Sequence, residues 1–234
     1  STPPHPVRLE RLEPGFRAKP WGRRDGLPAP PEAQPLGEVV FDAADAGLVV
    51  KWLQTSEPLS IQLHPQQEGR KHEWWYVTEA RPGSYLYLGL AESARYEDIV
   101  RRARDGSLPE ILRRIEPAVG DMFFVEAGTI HALGPGLTVV EVQEPSDVTW
   151  RLFDYGRPRE LHLDEAMRDA ILKPQPVRTL PGGEAPFRIA REELSPGRQL
   201  ALTARSACIA IAEGRGLFGD RPYQHHECWR LDGT

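Results

Sequence analysis

The stretch Leu59-Ser60-Ile61-Gln62-Leu63-His64-Pro65 reads as a buried β-strand stopped by a proline turn. Successive side chains on a strand point to opposite faces, so Gln62 and His64 share one face and Ile61 and Leu63 the other. An amide oxygen and an imidazole on one face make half of a metal site. Further on, Lys71-His72-Glu73-Trp74-Trp75-Tyr76-Val77 has a second strand pattern that opens with an acid. Later still, Gly128-Thr129-Ile130-His131-Ala132-Leu133-Gly134 is a tight turn carrying another histidine. Gln62, His64, Glu73 and His131 together offer one neutral oxygen, two nitrogens and one carboxylate. That set suits Zn2+, with Mn2+ or Fe2+ as alternatives, and leaves a position open for water or substrate.

Composition bounds the rest. A chain of 234 residues accommodates one large domain or two small ones. Its 40% hydrophobic and 27% charged residues are those of an ordinary soluble globular protein. No apolar run approaches the roughly 20 residues that span a bilayer, and prolines stand where a signal peptide needs an apolar core. The expectation is a cytoplasmic protein without membrane contact. A net charge of -5 argues against general nucleic-acid binding. Cys208 and Cys228, the only cysteines, read as free thiols in a reducing compartment. Lysine occurs only at positions 19, 51, 71 and 173, which makes Lys71, beside a candidate ligand, conspicuous.

Residues 1–38 are rich in Pro and Gly and read as an irregular arm with one short strand near residues 16–19, anchored by Trp21-Gly22. Apolar, β-branched runs at residues 37–41 and 48–53 read as strands. Residues 73–77 and 84–90 read as a hairpin across Arg81-Pro82-Gly83. Between residues 91 and 117 the apolar spacing becomes helical, and Gly106 divides two short helices, which predicts an inserted helical hairpin at about 92–117. Strands resume at 121–125, 137–142 and 148–155. Residues 163–172 read as a helix with Asp164 as its cap. Residues 173–186 read as a linker, followed by strand candidates at 187–192, 199–204, 207–212 and 228–231. Many short strands with frequent turns predict a mainly β barrel or sandwich.

The pattern Gly120-x5-Glu126-x-Gly128-x2-His131 resembles the second cupin motif, in which a glycine-rich hairpin presents a metal histidine. Longer stretches extend the likeness. Pro58 to Pro65, Glu73-Trp74-Trp75-Tyr76, Ala127 to Ala132, Glu141 to Arg151 and Asp154-Tyr155-Gly156-Arg157 occur in one order, with Lys19-Pro20-Trp21-Gly22 and Leu161-His162-Leu163-Asp164 at the flanks. Together they closely resemble the type I phosphomannose isomerases, also called mannose-6-phosphate isomerases, over roughly residues 16–170. The resemblance implies a cupin-type β-barrel (jelly roll) with the helical insert, a metal-binding catalytic domain at 1–174 and a reduced second cupin-like half at 175–234.

Carried over position by position, the resemblance puts the metal on Gln62, His64, Glu73 and His131, one Zn2+ per chain. It matches Ser60 and Arg157 to contacts of the substrate phosphate, and Arg151 to a catalytic arginine. It also places Lys71 and Glu141 in the active site. The residues agree with these roles. Ser60 lies two positions before Gln62 on the same strand face. Arginine offers a planar fork to oxyanions. Glu141 is an acid in the apolar strand Val139-Val140-Glu141-Val142-Gln143, an expensive position unless it is used or paired.

The implied reaction is isomerisation of mannose 6-phosphate and fructose 6-phosphate through a cis-enediol. Lys71 and Glu141 are both candidate proton carriers, and Lys71 needs a lowered pKa to act as a base. Two other readings are a non-catalytic sugar-phosphate- or metal-binding cupin and a cupin isomerase of another hexose phosphate. The partner expected is a small sugar phosphate, the assembly a monomer or homodimer. The cluster His225-His226-Glu227 is set aside, because neighbours on a strand face opposite ways.

Overall fold

The structure, a computed structural model, describes residues 7–179, 186–202 and 206–233. In chain order its strands begin with β1 (Arg8–Arg11), β2 (Gly15–Arg23), β3 (Leu36–Ala43), β4 (Leu48–Gln54), β5 (Ile61–Leu63), β6 (Glu73–Ala80) and β7 (Leu86–Leu90). After helix α1 (Tyr96–Asp105) come β8 (Leu112–Ile115), β9 (Met122–Val125), β10 (His131–Leu133), β11 (Leu137–Gln143) and β12 (Trp150–Phe153). Helix α2 (Leu163–Asp169) precedes β13 (Ser206–Ala210), β14 (Arg215–Phe218), β15 (Arg221–Gln224) and β16 (Cys228–Asp232).

The mainly β architecture is built on two antiparallel sheets that share an inner core. One has the order β2-β3-β4-β11-β6-β9, the other β12-β5-β10-β7-β8. Leu53, Trp75, Val77, Phe123 and Val139 from the first meet Leu86, Leu88 and Leu133 from the second. The alternation read in β5 holds. Ile61 and Leu63 pack outward with Ile99 and Ala103 of α1 and Ala166 and Met167 of α2. Gln62 is thereby left on the inner face. On the outer side of the six-stranded sheet, Leu36, Phe41 and Trp52 pack against Cys228 of β16. That strand sits between β1 and β13 in a three-stranded sheet, so both ends of the described chain meet there.

The turn before β10 is pinned on both sides. Gly128 has φ +86°, and a Cβ there would come within 2.5 Å of the Asp169 carbonyl oxygen, so only glycine fits. Its N–H donates to the His64 carbonyl at 2.8 Å, and its own carbonyl accepts from Ile171 at 2.9 Å. The exit of β5 and the segment after α2 therefore hold the loop that delivers His131.

Several expectations are corrected. The N-terminal arm carries two strands, and β2 runs for nine residues along the edge of the six-stranded sheet. β6 and β7 do not form a hairpin: β6 pairs with β11 and β9, and β7 pairs with β10 and β8, so the chain crosses between sheets at Arg81-Pro82-Gly83. Only the first half of the expected helical hairpin is an α-helix. After Gly106, Leu108–Ile111 is a single 3-10 turn with Pro109 in its first turn, and Leu112–Ile115 joins β7 as an edge strand. His162 occupies the N-cap of α2, and Asp164 lies in its first turn. Residues 187–192 and 199–202 form no strand; 203–204 lie outside the described residues, as does 180–185 of the linker segment. In their place β14 and β15 make a hairpin with Gly219 and Asp220 at its turn.

Candidate metal centre

Three donors converge where the two sheets face each other. His64 leaves the end of β5, Glu73 opens β6 and His131 opens β10. Their ligand atoms all lie within 4.8 Å of one another. Nε2 of His64 is 3.0 Å from Oε1 of Glu73, and Nε2 of His131 is 3.9 Å from Oε2. All three side chains are almost wholly buried.

The backbone fixes both imidazoles. Nδ1 of His64 donates to the Val148 carbonyl at 2.9 Å, and Nδ1 of His131 donates to the Thr129 carbonyl at 2.8 Å. A neutral imidazole that donates from Nδ1 presents a bare lone pair at Nε2. Each Nε2 is buried without a hydrogen-bond partner among the described residues. Burial, with Lys71 adding to it, holds the His64 pKa down to about 4, although Glu73 pulls the other way. His131 is lowered too, first by burial. Burial alone would raise Glu73, but the Lys71 cation and then His64 outweigh it and keep the carboxyl well below its ordinary range. Near neutral pH the cluster is two neutral imidazoles and a carboxylate, with their ligand atoms gathered within 4.8 Å. Those are the protonation states that a divalent metal requires, and the buried, unpaired Nε2 atoms fit one.

Gln62 is brought beside the cluster by register. It lies directly opposite His131 in the β5–β10 pair and opposite Arg151 in the β5–β12 pair. Cross-strand partners share a sheet face, so Gln62, His131 and Arg151 line the same inner surface. The Ser60 hydroxyl donates to Oε1 of Gln62 at 2.8 Å.

A charged row continues from the cluster across the six-stranded sheet. Nζ of Lys71 is 3.0 Å from Glu73 Oε1 and 3.4 Å from Gln143 Oε1. Burial lowers the Lys71 pKa, but Glu73 and Glu141 outweigh it, so the net shift is upward. Glu73 and Glu141 thus favour the ammonium form of Lys71. Glu141 moves the opposite way: burial, reinforced by Glu73, raises its carboxyl to about 7. It accepts from the Trp75 indole N–H at 3.1 Å, and that indole lies edge-on to the His131 ring.

Lys51, which the sequence reading passed over, is buried and 3.6 Å from Glu141. The signal was available: a lone lysine stands inside the apolar strand Val49-Val50-Lys51-Trp52-Leu53. Burying it without an acid beside it would be costly.

The two arginines differ. Arg151 is half-buried, its Nε is buried without a hydrogen-bond partner, and its guanidinium makes no ion pair among the described residues. Neither Asp147 nor Glu141 serves it as a permanent partner. Burial, and then the Arg159 cation, pulls its pKa down. Arg157 is fully engaged: it donates to Asp154 Oδ1 at 3.0 Å, Glu57 Oε2 at 3.0 Å and the Pro58 carbonyl at 2.9 Å. The structure thus gathers His64, Glu73, His131 and Lys71 closely. It places Gln62 opposite His131 and Arg151, bonds Ser60 to Gln62 and Trp75 to Glu141, and leaves Arg157 in its own ion pairs. His225, His226 and Glu227 form no such cluster; His226 is a turn residue at φ +69°, and Glu227 serves Arg11 and Trp229.

No family model matches the chain. The protein named "Probable mannose-6-phosphate isomerase GmuF" of Bacillus subtilis is 36% identical over 135 residues, 51% of this chain and 42% of that protein. The mannose-6-phosphate isomerase of Streptococcus mutans is 32% identical over 196 residues, 72% of this chain and 61% of that one. The chain is thus similar to mannose-6-phosphate isomerases over 72% of its own length. Its fold is that of the crystal structure of mannose 6-phosphate isomerase from Bacillus subtilis, with a TM-score of 0.68 at 22% identity over 97% of each chain. This is the cupin-type fold of the family. The chain spans 42% and 61% of the length of the two curated relatives. No helix among the described residues is long and apolar enough to cross a membrane.

Proposed function

We propose that this chain is a metal-dependent aldose–ketose isomerase interconverting mannose 6-phosphate and fructose 6-phosphate through a cis-enediol. The observation that carries the reading is the buried His64–Glu73–His131 cluster, whose two unpaired Nε2 atoms lie 3.0 and 3.9 Å from the carboxylate oxygens. His64, Glu73 and His131, with Gln62 from the adjoining strand, would hold one Zn2+. When bound, that ion supplies Lewis acidity to the sugar oxygens.

The chain's own residues do the rest. Glu141, with its carboxyl near 7, is poised to take a proton from one sugar carbon and return it to the next. Lys71, held as a cation by Glu73, donates hydrogen bonds to the oxygen on which negative charge builds. The unpaired fork of Arg151 does the same from the opposite sheet. The phosphate docks at the start of β5 on Arg157, with Ser60 beside it, displacing the exposed Glu57 from the guanidinium. Residues 1–174 form the catalytic part, and 175–234 a reduced second half. The substrate is a free sugar phosphate, met in the cytoplasm.

The test is formation of fructose 6-phosphate from mannose 6-phosphate by the Zn2+-replete protein, with and without chelator. A folded, metal-loaded sample that binds the substrate but does not turn it over would reject catalysis and leave a binding protein. Comparing kcat/KM for mannose 6-phosphate and glucose 6-phosphate tests the choice of sugar.

A further inference from the structure

We infer that Ser60 is a positioning residue for the metal centre, and that it acts through Gln62 before any substrate arrives. The inference rests on the metal-binding part of the reading above and not on the sugar. Each donor of the centre has its own supporting bond. His64 and His131 are fixed by the carbonyls of Val148 and Thr129, and Glu73 by the ammonium of Lys71. Gln62 would otherwise be the loose member. Its side chain is longer than that of an asparagine and ends in an amide that turns freely, and Gln62 is only half-buried.

Ser60 removes that freedom. It is 2% exposed, and its hydroxyl donates to Oε1 of Gln62 at 2.8 Å. The two residues lie two positions apart at the start of β5, on the side of the chain opposite to Ile61. A carbonyl oxygen has two lone pairs. With one engaged by Ser60, the amide plane is fixed, Oε1 and not Nε2 is turned toward Ser60, and the second lone pair is left for a cation. A hydroxyl has a single proton. While that proton is on Gln62, Ser60 cannot also donate it to a phosphate oxygen, so in the free protein its work is done on the metal ligand.

Supporting residues of this kind are worth roughly tenfold to a hundredfold in metal affinity. The experiment measures Zn2+ affinity of the full chain without substrate, by competition with a chromophoric chelator. The variants are Ser60→Ala, Ser60→Thr, Gln62→Ala and the double variant Ser60→Ala/Gln62→Ala. Ser60→Ala should bind Zn2+ about tenfold to a hundredfold more weakly. Its metal-free thermal midpoint should stay that of the parent, since alanine leaves the buried position without a clash. Ser60→Thr, which keeps the hydroxyl, should restore most of the affinity. The double variant should be no weaker than Gln62→Ala alone, because Ser60 has nothing left to position. Parent-like affinity in Ser60→Ala, or losses that add in the double variant, would overturn the inference. Weakened Zn2+ binding by Ser60→Ala, in a protein that isomerises no sugar phosphate, would uphold it while rejecting the isomerase reading. A parent chain that takes up no Zn2+ would overturn both.

Discussion

The Nε2 atom of His64 stands 3.0 Å from Oε1 of Glu73, and both side chains are almost fully buried. With Nδ1 already donating to Val148, this places a lone pair against a carboxylate oxygen. Two acceptors at that distance repel unless a cation lies between them. Burial holds the His64 pKa down to about 4, so a proton does not fill that role at neutral pH. Zn2+ should therefore stabilise the fold strongly. At a hundredfold excess over Kd the gain is about 2.7 kcal/mol. For a chain of this length that corresponds to a rise of roughly 5–10 °C in Tm. Scanning calorimetry of chelator-treated protein, before and after Zn2+ is restored, checks it. An unmoved Tm would mean that the cluster is not a metal centre.

Glu141 sets a pH dependence with a definite sign. Its carboxyl is raised to about 7, first by burial and then by Glu73. A base works only when ionised, so kcat/KM should fall about tenfold per pH unit below about pH 7. Glu141→Gln should lose on the order of a hundredfold to ten-thousandfold in rate, and the limb should vanish from whatever activity is left. The pH profiles of the two proteins decide the matter. A limb near 7 that survives in the Gln variant would assign the titration to another group.

The His64–Glu73–His131 cluster was legible in the sequence from an alternating strand, an acid opening the next strand pattern and a glycine turn carrying a histidine. Ile61 and Leu63 do pack outward and Gln62 inward. Gly128 does make the turn that delivers His131. Long-range choices were less visible. The hairpin expected across Arg81-Pro82-Gly83 failed because β6 already had β9 and β11 as neighbours, and nothing local announces which sheet a strand joins. β2 outruns its expected span because Gly15, Pro20 and Gly22 depress strand propensity, while its bulges next to β3 accommodate them. The Phe218-Gly219-Asp220-Arg221 turn carries a local two-residue hairpin signal.

Arg157 carries the phosphate assignment, and its present partners define the test. Buried Asp154 is also held twice by Arg159, at 2.6 and 2.9 Å, so Arg157→Ala leaves that carboxylate paired. The variant should fold. It should raise KM for mannose 6-phosphate at least tenfold with kcat nearly unchanged, the signature of lost uniform binding. Glu57→Ala, which frees one end of the guanidinium, should move KM the other way. Steady-state kinetics that leave KM unchanged in Arg157→Ala would remove this residue from the phosphate.

The His225–His226 pair gives a control for the ligand set. His226 packs at 6.5 Å against the Trp52 ring on the outer side of the six-stranded sheet, among the residues that cover β3 and β4. His226→Ala should leave the metal content of the purified protein at one ion per chain, as read by elemental analysis. His131→Ala should bring it close to zero. Loss of metal in His226→Ala would show that the centre has been placed on the wrong side of the sheet.

Arg151 makes the sharpest demand on the proposal. It faces Gln62 across the β5–β12 pair, it is half-buried, and its Nε lacks a hydrogen-bond partner. A guanidinium partly removed from water and left without a carboxylate is destabilising on its own. The backbone nonetheless holds the residue firmly: its N–H donates to Nδ1 of His162 at 3.1 Å, and its carbonyl accepts from the His162 N–H at 2.8 Å. A side chain kept at a cost, on a backbone anchored at two points, is what a site for a developing anion requires. Arg151→Lys keeps the charge and loses the planar fork. No permanent ion pair is broken, so Tm and Zn2+ content should match the parent. On the order of a hundredfold or more should be lost from kcat, the scale set by removing one charge-stabilising donor. Calorimetry, metal analysis and kinetics on one preparation separate the outcomes. A variant that melts earlier yet turns over at nearly the parent rate would make Arg151 a structural residue and leave Lys71 to stabilise the enediolate alone.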